Sequence, residues 1–186
     1  MKKVLIHALG AEMGGAMRHL SNFLPELGKQ DLNNSYVVLT KKSFPKMELP
    51  DNIRIDRSLN FDGGSWFRRL YLDNIAVSRR IRRQQFDLFV TLTNFGPIKV
   101  PCPHILFQRN SLYFCNYYLN RIKGKLKAEI FLRRRLAVAA IMHADLIITP
   151  SYAMADMIRK TSSKTGCKEF RTLYHGFSEE NLKSFG

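Results

Sequence analysis

Short apolar segments alternate along the chain with longer segments in which apolar residues recur every three or four positions. The short segments predict strands over residues 3–8, 35–40, 52–56, 86–91, 103–108, 144–149 and 170–174. The longer segments predict helices over residues 17–27 (closed by Gly28), 65–84, 116–143 (with a break near Gly124) and 151–160. Strands that alternate with helices are typical of βαβ units, in which helices cover both faces of a parallel sheet. The pattern therefore predicts one α/β domain over residues 1–186 with a mostly parallel sheet.

The first strand leads into a loop that carries glycines at positions 10, 14 and 15, and the first helix follows. The free N–H groups and the dipole of a helix start favour an anion, and glycine lets a ligand approach the backbone. The spacing is neither G-x-G-x-x-G nor a P-loop, and the second strand ends in Lys41 and Lys42 rather than an acid. NAD is therefore disfavoured and a phosphate-bearing ligand is not. The alternative that Gly14 and Gly15 only allow close packing stays open.

Charge and cysteine content narrow the class of protein. The 186 residues include 30 Lys and Arg against 15 Asp and Glu, for a net charge of +15. This excess attracts nucleic acid, acidic lipid or a phosphorylated substrate without choosing among them. Three scattered cysteines, at positions 102, 115 and 167, form neither a disulfide framework nor a C-x-x-C metal site. We therefore expect reduced thiols in a cytoplasmic protein. No stretch of the sequence approaches the ~20 apolar residues of a spanning helix.

Basic clusters lie on predicted helices that also carry apolar residues. They occupy residues 79–83, 121–127 and 133–135. A basic amphipathic helix can lie on an anionic membrane, and we expect such a contact. The alternative is a solvated helix face.

The predicted sheet places its ligand site beyond the carboxyl ends of the strands. Residues 8–15, 94–96, 108–113, 150–152 and 175–176 follow these ends. Arg109 and Asn110 come directly after a buried strand, and Arg18 lies one turn into the first helix. A guanidinium binds phosphate or carboxylate through a fork of N–H donors. The alternatives are that Arg18 is solvated and that Arg109 pairs with a loop carboxylate. Ser151 is expected to cap its helix.

Four weak motifs, in their order along the chain, resemble the N-terminal half of a GT-B glycosyltransferase of the retaining family 4 type. They are the first strand with Gly14, Gly15 and Arg18, the strand at 86–90, the segment at 144–151, and the segment at 173–177. The resemblance covers nearly the whole chain and implies a Rossmann-like three-layer αβα domain that binds the acceptor. It also implies that a C-terminal domain, absent from this chain, binds the nucleotide-sugar donor.

The resemblance further implies the partners and the setting of the protein. The acceptor would be a glycan or a lipid-linked glycan of the cell envelope, and the donor would be a nucleotide sugar. No cofactor and no metal are expected, and this segment alone should not complete the reaction. We expect a cytoplasmic protein that contacts the inner membrane face.

The predicted acceptor- and phosphate-binding residues are Gly14, Gly15, Arg18, Asn94, Arg109, Asn110, Tyr113, His175 and Gly176. No catalytic residue is assigned. The chain departs from the family at two places: Arg109 and Asn110 stand where a histidine is frequent, and His175 replaces the usual asparagine. Tyr113 would stack on a sugar ring, although core packing is the commoner fate of an aromatic residue.

Two alternatives to an enzyme remain. A stand-alone binding or regulatory domain would keep the fold without the chemistry, because fold analogy does not settle function. A nucleic-acid-binding protein would account for the charge alone. The sequence shows no helix-turn-helix, zinc ligands or RNP aromatics, so we expect no nucleic-acid partner.

Overall fold

A computed structural model describes residues 1–11, 15–59 and 71–174 of the chain. Its seven strands are β1 (Lys3–His7), β2 (Ser35–Leu39), β3 (Ile53–Asp56), β4 (Leu88–Thr91), β5 (His104–Phe107), β6 (Leu146–Thr149) and β7 (Glu169–Thr172). They form one sheet in the order β3-β2-β1-β4-β5-β6-β7, and every neighbouring pair is parallel. The predicted parallel sheet is thus confirmed.

The helices of the described residues connect these strands. They are α1 (Gly15–Gln30), a π-helical turn (Leu72–Val77) that continues into α2 (Ser78–Gln84), a 3₁₀ turn (Ser111–Tyr113), α3 (Asn116–Arg121), α4 (Gly124–His143), α5 (Tyr152–Arg159) and α6 (Ser163–Gly166). The predicted break near Gly124 is confirmed. Gly124 has φ +58°, a conformation that glycine adopts without steric cost, and it begins α4 after α3 has ended at Arg121. The 3₁₀ turn and α6 were not predicted because so few residues leave no periodic signal.

Helices cover both faces of the sheet because alternate strand residues are apolar on both sides. Val4 and Ile6 of β1 pack in one cluster with Leu20 and Leu24 of α1. Leu5 of β1 points to the opposite face. There a cluster formed by Leu5, Phe89, Val77 and Ile81 covers the first half of the sheet, and one formed by Leu106, Ile147, Ile141 and Ile158 covers the second half. The expected Rossmann-like three-layer αβα fold is confirmed.

Two details of the helix predictions were wrong. Gly28 does not close α1, which continues to Gln30. The glycine is buried, and a Cβ added there would lie 2.8 Å from Cγ of Pro50, so its role is close packing. The four-residue spacing of Ile122, Leu126 and Ile130 predicts that all three face the core, but Leu126 is 47% exposed. The first part of the helix predicted over residues 65–84 lies outside the described residues.

Cys102, Cys115 and Cys167 are free thiols, as predicted. Burial, followed by the negative charges of Asp145 and Asp87, raises the pKa of Cys102 to about 11. This thiol therefore stays protonated at neutral pH. Among the described residues, no helix is both long enough and apolar enough to cross a bilayer.

Candidate functional site

The order of the strands identifies the edge of the sheet where a ligand would bind. The chain runs outward from β1 to β3 on one side and from β4 to β7 on the other, so the connections diverge between β1 and β4. In open parallel sheets, ligands bind beyond the carboxyl ends of the strands at such a switch point. The loops that follow β1, β4 and β5 meet at this edge.

Asn94 joins the loops that follow β4 and β5. Its side-chain Oδ1 accepts hydrogen bonds from the backbone N–H groups of Arg109 (2.7 Å) and Asn110 (2.9 Å). Its backbone carbonyl accepts a third from the side chain of Gln108, at 2.8 Å. Asn110 in turn caps the 3₁₀ turn, because its Oδ1 accepts from the N–H of Leu112 at 3.0 Å. The structure thus brings together the predicted residues Asn94, Arg109 and Asn110, and the two asparagines hold the backbone of the loop in place.

Arg109 is the cation of this edge. Its guanidinium lies 5.4 Å from the centre of the Phe107 ring, and its Nε is buried without a hydrogen-bond partner. Burial lowers the pKa of Arg109 below its usual range, although an arginine still keeps its charge at neutral pH. Within residues 1–11, 15–59 and 71–174, no carboxylate forms an ion pair with Arg109. The structure therefore offers no support, in that part of the chain, for the alternative of a loop salt bridge.

A cleft opens beside Arg109 at the ends of β5, β6 and β7. Its enclosed part is small, about 20 Å³, and the residues that line it are His19, Phe107, Arg109, Ile148, Thr149, Pro150, Leu173 and Tyr174. Tyr174 and Tyr152 stand edge to face at its rim, with ring centres 6.2 Å apart. An apolar wall with one guanidinium suits a ligand that carries an anionic group on a less polar body.

The other predicted residues lie in different surroundings. Arg18 is exposed on the first turns of α1, the helix that also contributes His19 to the cleft. Gly15 is the first residue of α1, whereas Gly14, His175 and Gly176 lie outside the described residues. Tyr113 is only 3% exposed and packs against Phe95, with ring centres 5.6 Å apart. A buried ring cannot stack on a sugar, so we leave Tyr113 out of the proposed ligand contacts.

Two buried histidines beneath this edge were missed by the sequence analysis. Nε2 of His7, at the end of β1, lies 2.9 Å from Oδ1 of Asp73 in the π-helical turn, and both side chains are buried. Since a carboxylate only accepts hydrogen bonds, Nε2 of His7 is the donor. Nothing in the sequence links residues 66 positions apart. The only available signal was a histidine within an apolar strand.

The second buried histidine is His104, the first residue of β5. Its Nε2 lies 2.9 Å from Oγ1 of Thr91, and its ring lies 4.9 Å from that of Phe89. Burial, with a smaller contribution from His7, lowers the pKa of His104 to about 4. The imidazole is therefore neutral at physiological pH. It joins β4 to β5 beneath the loops that carry Asn94 and Arg109.

Similar folds occur among solved structures of plant glycosyltransferases. A UDP-glucose: anthocyanidin 3-O-glucosyltransferase in complex with UDP matches with a TM-score of 0.59 and 14% identity, over 93% of this chain and 52% of that chain. Phytolacca americana UGT2 complexed with UDP-2fluoro-glucose and pterostilbene matches with a TM-score of 0.62 and 11% identity, over 100% of this chain and 57% of that chain. A UGT transferase from Siraitia grosvenorii in complex with UDP matches with a TM-score of 0.54 and 10% identity, over 97% of this chain and 51% of that chain.

These matches concern the fold. No protein-family model and no curated protein sequence matches the chain. The chain spans little more than half the length of the glycosyltransferases it resembles. It shares with part of those proteins the Rossmann-like α/β architecture that the sequence predicts. At 10–14% identity the likeness carries no residue-level correspondence.

Proposed function

We propose that this chain is the acceptor-binding half of a GT-B glycosyltransferase that transfers a sugar from a nucleotide-sugar donor. The observation that supports the proposal most strongly is the likeness over nearly the whole chain to about half of each UDP-bound transferase. The cleft beside Arg109 adds support through its position, because ligands of open parallel sheets bind at the carboxyl edge. In this proposal a second domain supplies the donor site, and no side chain of the present chain is assigned as a base or a nucleophile.

Arg109 would bind an anionic group of the acceptor. It is the charged side chain of the cleft, and among the described residues no carboxylate neutralises it. Its guanidinium can hold a carboxylate or phosphate through two parallel hydrogen bonds. The apolar wall made by Phe107, Ile148 and Pro150 would contact the remainder of the acceptor. A lipid-linked or envelope glycan has this combination of an anionic group and a less polar body.

The relation to family 4, and with it retention of the anomeric configuration, also belongs to the proposal. Its support is the order of the sequence motifs. Retaining transfer requires positive groups that stabilise the leaving phosphate, and Arg18 beside the start of α1 is a candidate for one of them. The anomeric configuration of an isolated product, determined by NMR, distinguishes retention from inversion.

The test uses the native polypeptide that carries this segment, detected with an antibody and purified from its host. We expect a mass near twice the 21.6 kDa of this chain and transfer from a nucleotide sugar to an anionic glycan acceptor. Arg109→Gln should raise the acceptor KM by about 10–100-fold, because a charge-assisted hydrogen bond contributes roughly 1.5–3 kcal/mol. Arg109→Lys keeps the charge and serves as the matched control, with a smaller increase.

Several results would contradict the proposal. One is a native polypeptide of 21.6 kDa that consumes no nucleotide sugar with any acceptor or partner subunit. An unchanged acceptor KM in a folded Arg109→Gln variant would contradict only the proposed binding of the acceptor by Arg109. The proposed sugar transfer would not be affected by that result. Tight, strongly salt-dependent binding to random duplex DNA without any sugar transfer would favour the nucleic-acid alternative.

A further inference from the structure

A larger, open cavity lies on the opposite face of the sheet from α1, along the π-helical turn and α2. Its volume is about 370 Å³, against the 20 Å³ of the enclosed part of the cleft beside Arg109. Pockets that bind small molecules have volumes of roughly 300–1,000 Å³. The wall includes Tyr71 and Ile75 from the start of the helical segment and Arg79, Arg80, Arg83 and Gln84 from α2. We call this space the α2 cavity.

Arginine side chains dominate the charge of the α2 cavity. The guanidinium of Arg80 is held in place, because it forms an ion pair with Asp56 and donates a hydrogen bond to Oγ of Ser58 at 2.7 Å. Within the described ranges of the chain, neither Arg79 nor Arg83 has such a partner. Like charges four residues apart on a helix repel each other, and an anion bound between them relieves that repulsion.

The surroundings of the cavity add further positive charge. Burial and then the charge of Arg54 on β3 lower the pKa of Arg80, so a fourth guanidinium lies near the other three. None of the described residues that line the cavity is acidic, and Asp56 is already paired with Arg80. This balance favours a ligand that carries more than one negative charge.

The α2 cavity also offers an apolar surface and an unused hydrogen-bond acceptor. Tyr71, directly before the π-helical turn, is 54% exposed, and Ile75 and Leu59 extend the apolar wall beside it. Oε1 of Gln84 is buried without a hydrogen-bond partner. A buried acceptor without a donor is costly, so this position is completed by a hydroxyl group that enters the cavity.

We propose that the α2 cavity binds a nucleoside diphosphate. Arg79 and Arg83 hold the two phosphates through their forks of N–H donors, and the ring of Tyr71 contacts the base. A ribose hydroxyl donates a hydrogen bond to Oε1 of Gln84. The concave shape favours one small ligand over a bilayer or a duplex, neither of which enters a cavity of this size.

This site is separate from the ones considered above. No described residue lines both the α2 cavity and the cleft beside Arg109, and the two lie on different parts of the sheet. It is also distinct from the donor site that the proposed function assigns to a second domain. The inference therefore does not depend on sugar transfer.

The test is isothermal titration calorimetry of the folded protein at one salt concentration, with ADP, UDP and pyrophosphate as separate ligands. We expect a nucleoside diphosphate to bind more tightly than pyrophosphate. Arg83→Gln should weaken the binding of both kinds of ligand by about tenfold or more, because a charge-assisted hydrogen bond is lost. Tyr71→Ser should weaken nucleotide binding by roughly fivefold or more and leave pyrophosphate binding unchanged, because the ring contacts only the base.

The matched control is Arg82→Gln. It removes the same charge from an exposed position of α2 that does not line the cavity, so it should change the affinity far less than Arg83→Gln. Tyr71, Arg79, Arg82 and Arg83 are all exposed, and circular dichroism checks that each variant is folded.

Four outcomes would overturn the inference. The first is that neither ADP nor UDP binds. The second is equal weakening by Arg82→Gln and Arg83→Gln, which would show a general charge effect. The third is unchanged nucleotide binding in folded Arg79→Gln with Arg83→Gln, which would place the nucleotide elsewhere. The fourth is pyrophosphate binding as tight as that of the nucleotides, with no effect of Tyr71→Ser.

Discussion

His104 provides the sharpest quantitative prediction, because its buried imidazole makes folding sensitive to acid. The side chain lies between Thr91 and Phe89 with its Nδ1 buried and unpartnered. Burial, with a smaller contribution from the nearby His7, lowers its pKa from 6.5 to about 4 against the opposing effect of Asp145. The folded protein therefore resists the protonation that the unfolded chain accepts readily.

The sign and size of the effect follow from linkage. Above the unfolded pKa both states are neutral, and His104 contributes nothing to the pH dependence. Between pH 6.5 and about 4 the unfolded state binds more protons, so the free energy of unfolding falls as the pH falls. A depression of this size corresponds to about 3 kcal/mol in total, of which about 2 kcal/mol is lost by roughly pH 5.

The assay is urea denaturation at several pH values across this window, for the wild type and for His104→Gln. Glutamine removes the titrating group and keeps a polar side chain beside Thr91. We expect the variant to be less stable at neutral pH but to lose about 2 kcal/mol less than the wild type on acidification to roughly pH 5. Carboxylates titrate in both proteins and cancel in the difference.

Parallel pH profiles in the two proteins would refute the reasoning. If His104→Gln does not fold, NMR titration of the wild-type imidazole replaces it. A His104 pKa at or above 6.5 would then contradict the burial argument.

Two further predictions concern packing and loop order. Gly28→Ala should destabilise the fold by about 1–3 kcal/mol because the new methyl group would lie 2.8–2.9 Å from the Pro50 ring and Oδ1 of Asn52. A denaturant midpoint equal to or above that of the wild type would show that Pro50 moves aside. Asn94→Ala should cost about 1–3 kcal/mol through its lost bonds to Arg109 and Asn110, and should speed hydrogen exchange at those two amides. Unchanged exchange there, with Ser151 as an unaffected reference site, would mean that the loop is held by other contacts.

The candidate site was accessible to sequence reasoning only in part. Arg109 and Asn110 could be predicted because residues that follow a buried parallel strand must lie at the carboxyl edge. Ser151 could be predicted as a helix cap, and its Oγ accepts from the N–H of Met154 at 3.2 Å. The function of Asn94 as the group that joins two loops could not be predicted, since it depends on backbone amides fifteen and sixteen residues away.

Leu126 on α4 shows that helical spacing alone does not determine which side chains are buried. Apolar residues at helical spacing predicted a core stripe that included Leu126. The core receives Ile130, Ala137 and Ile141, whereas Leu126 lies on turns that extend beyond the neighbouring helices. Spacing defines which side chains share a face, but the length of the adjacent elements decides how much of that face is covered.

Local pattern by itself determined the α/β class, the parallel sheet, the break at Gly124 and the excess of positive charge, because each depends on neighbouring residues or on composition. Tertiary structure alone decided the pairing of His7 with Asp73, the neutral state of His104, and the absence of an ion pair at Arg109 among the described residues. These properties depend on distance and desolvation between groups far apart in sequence, and a one-dimensional pattern contains no measure of either.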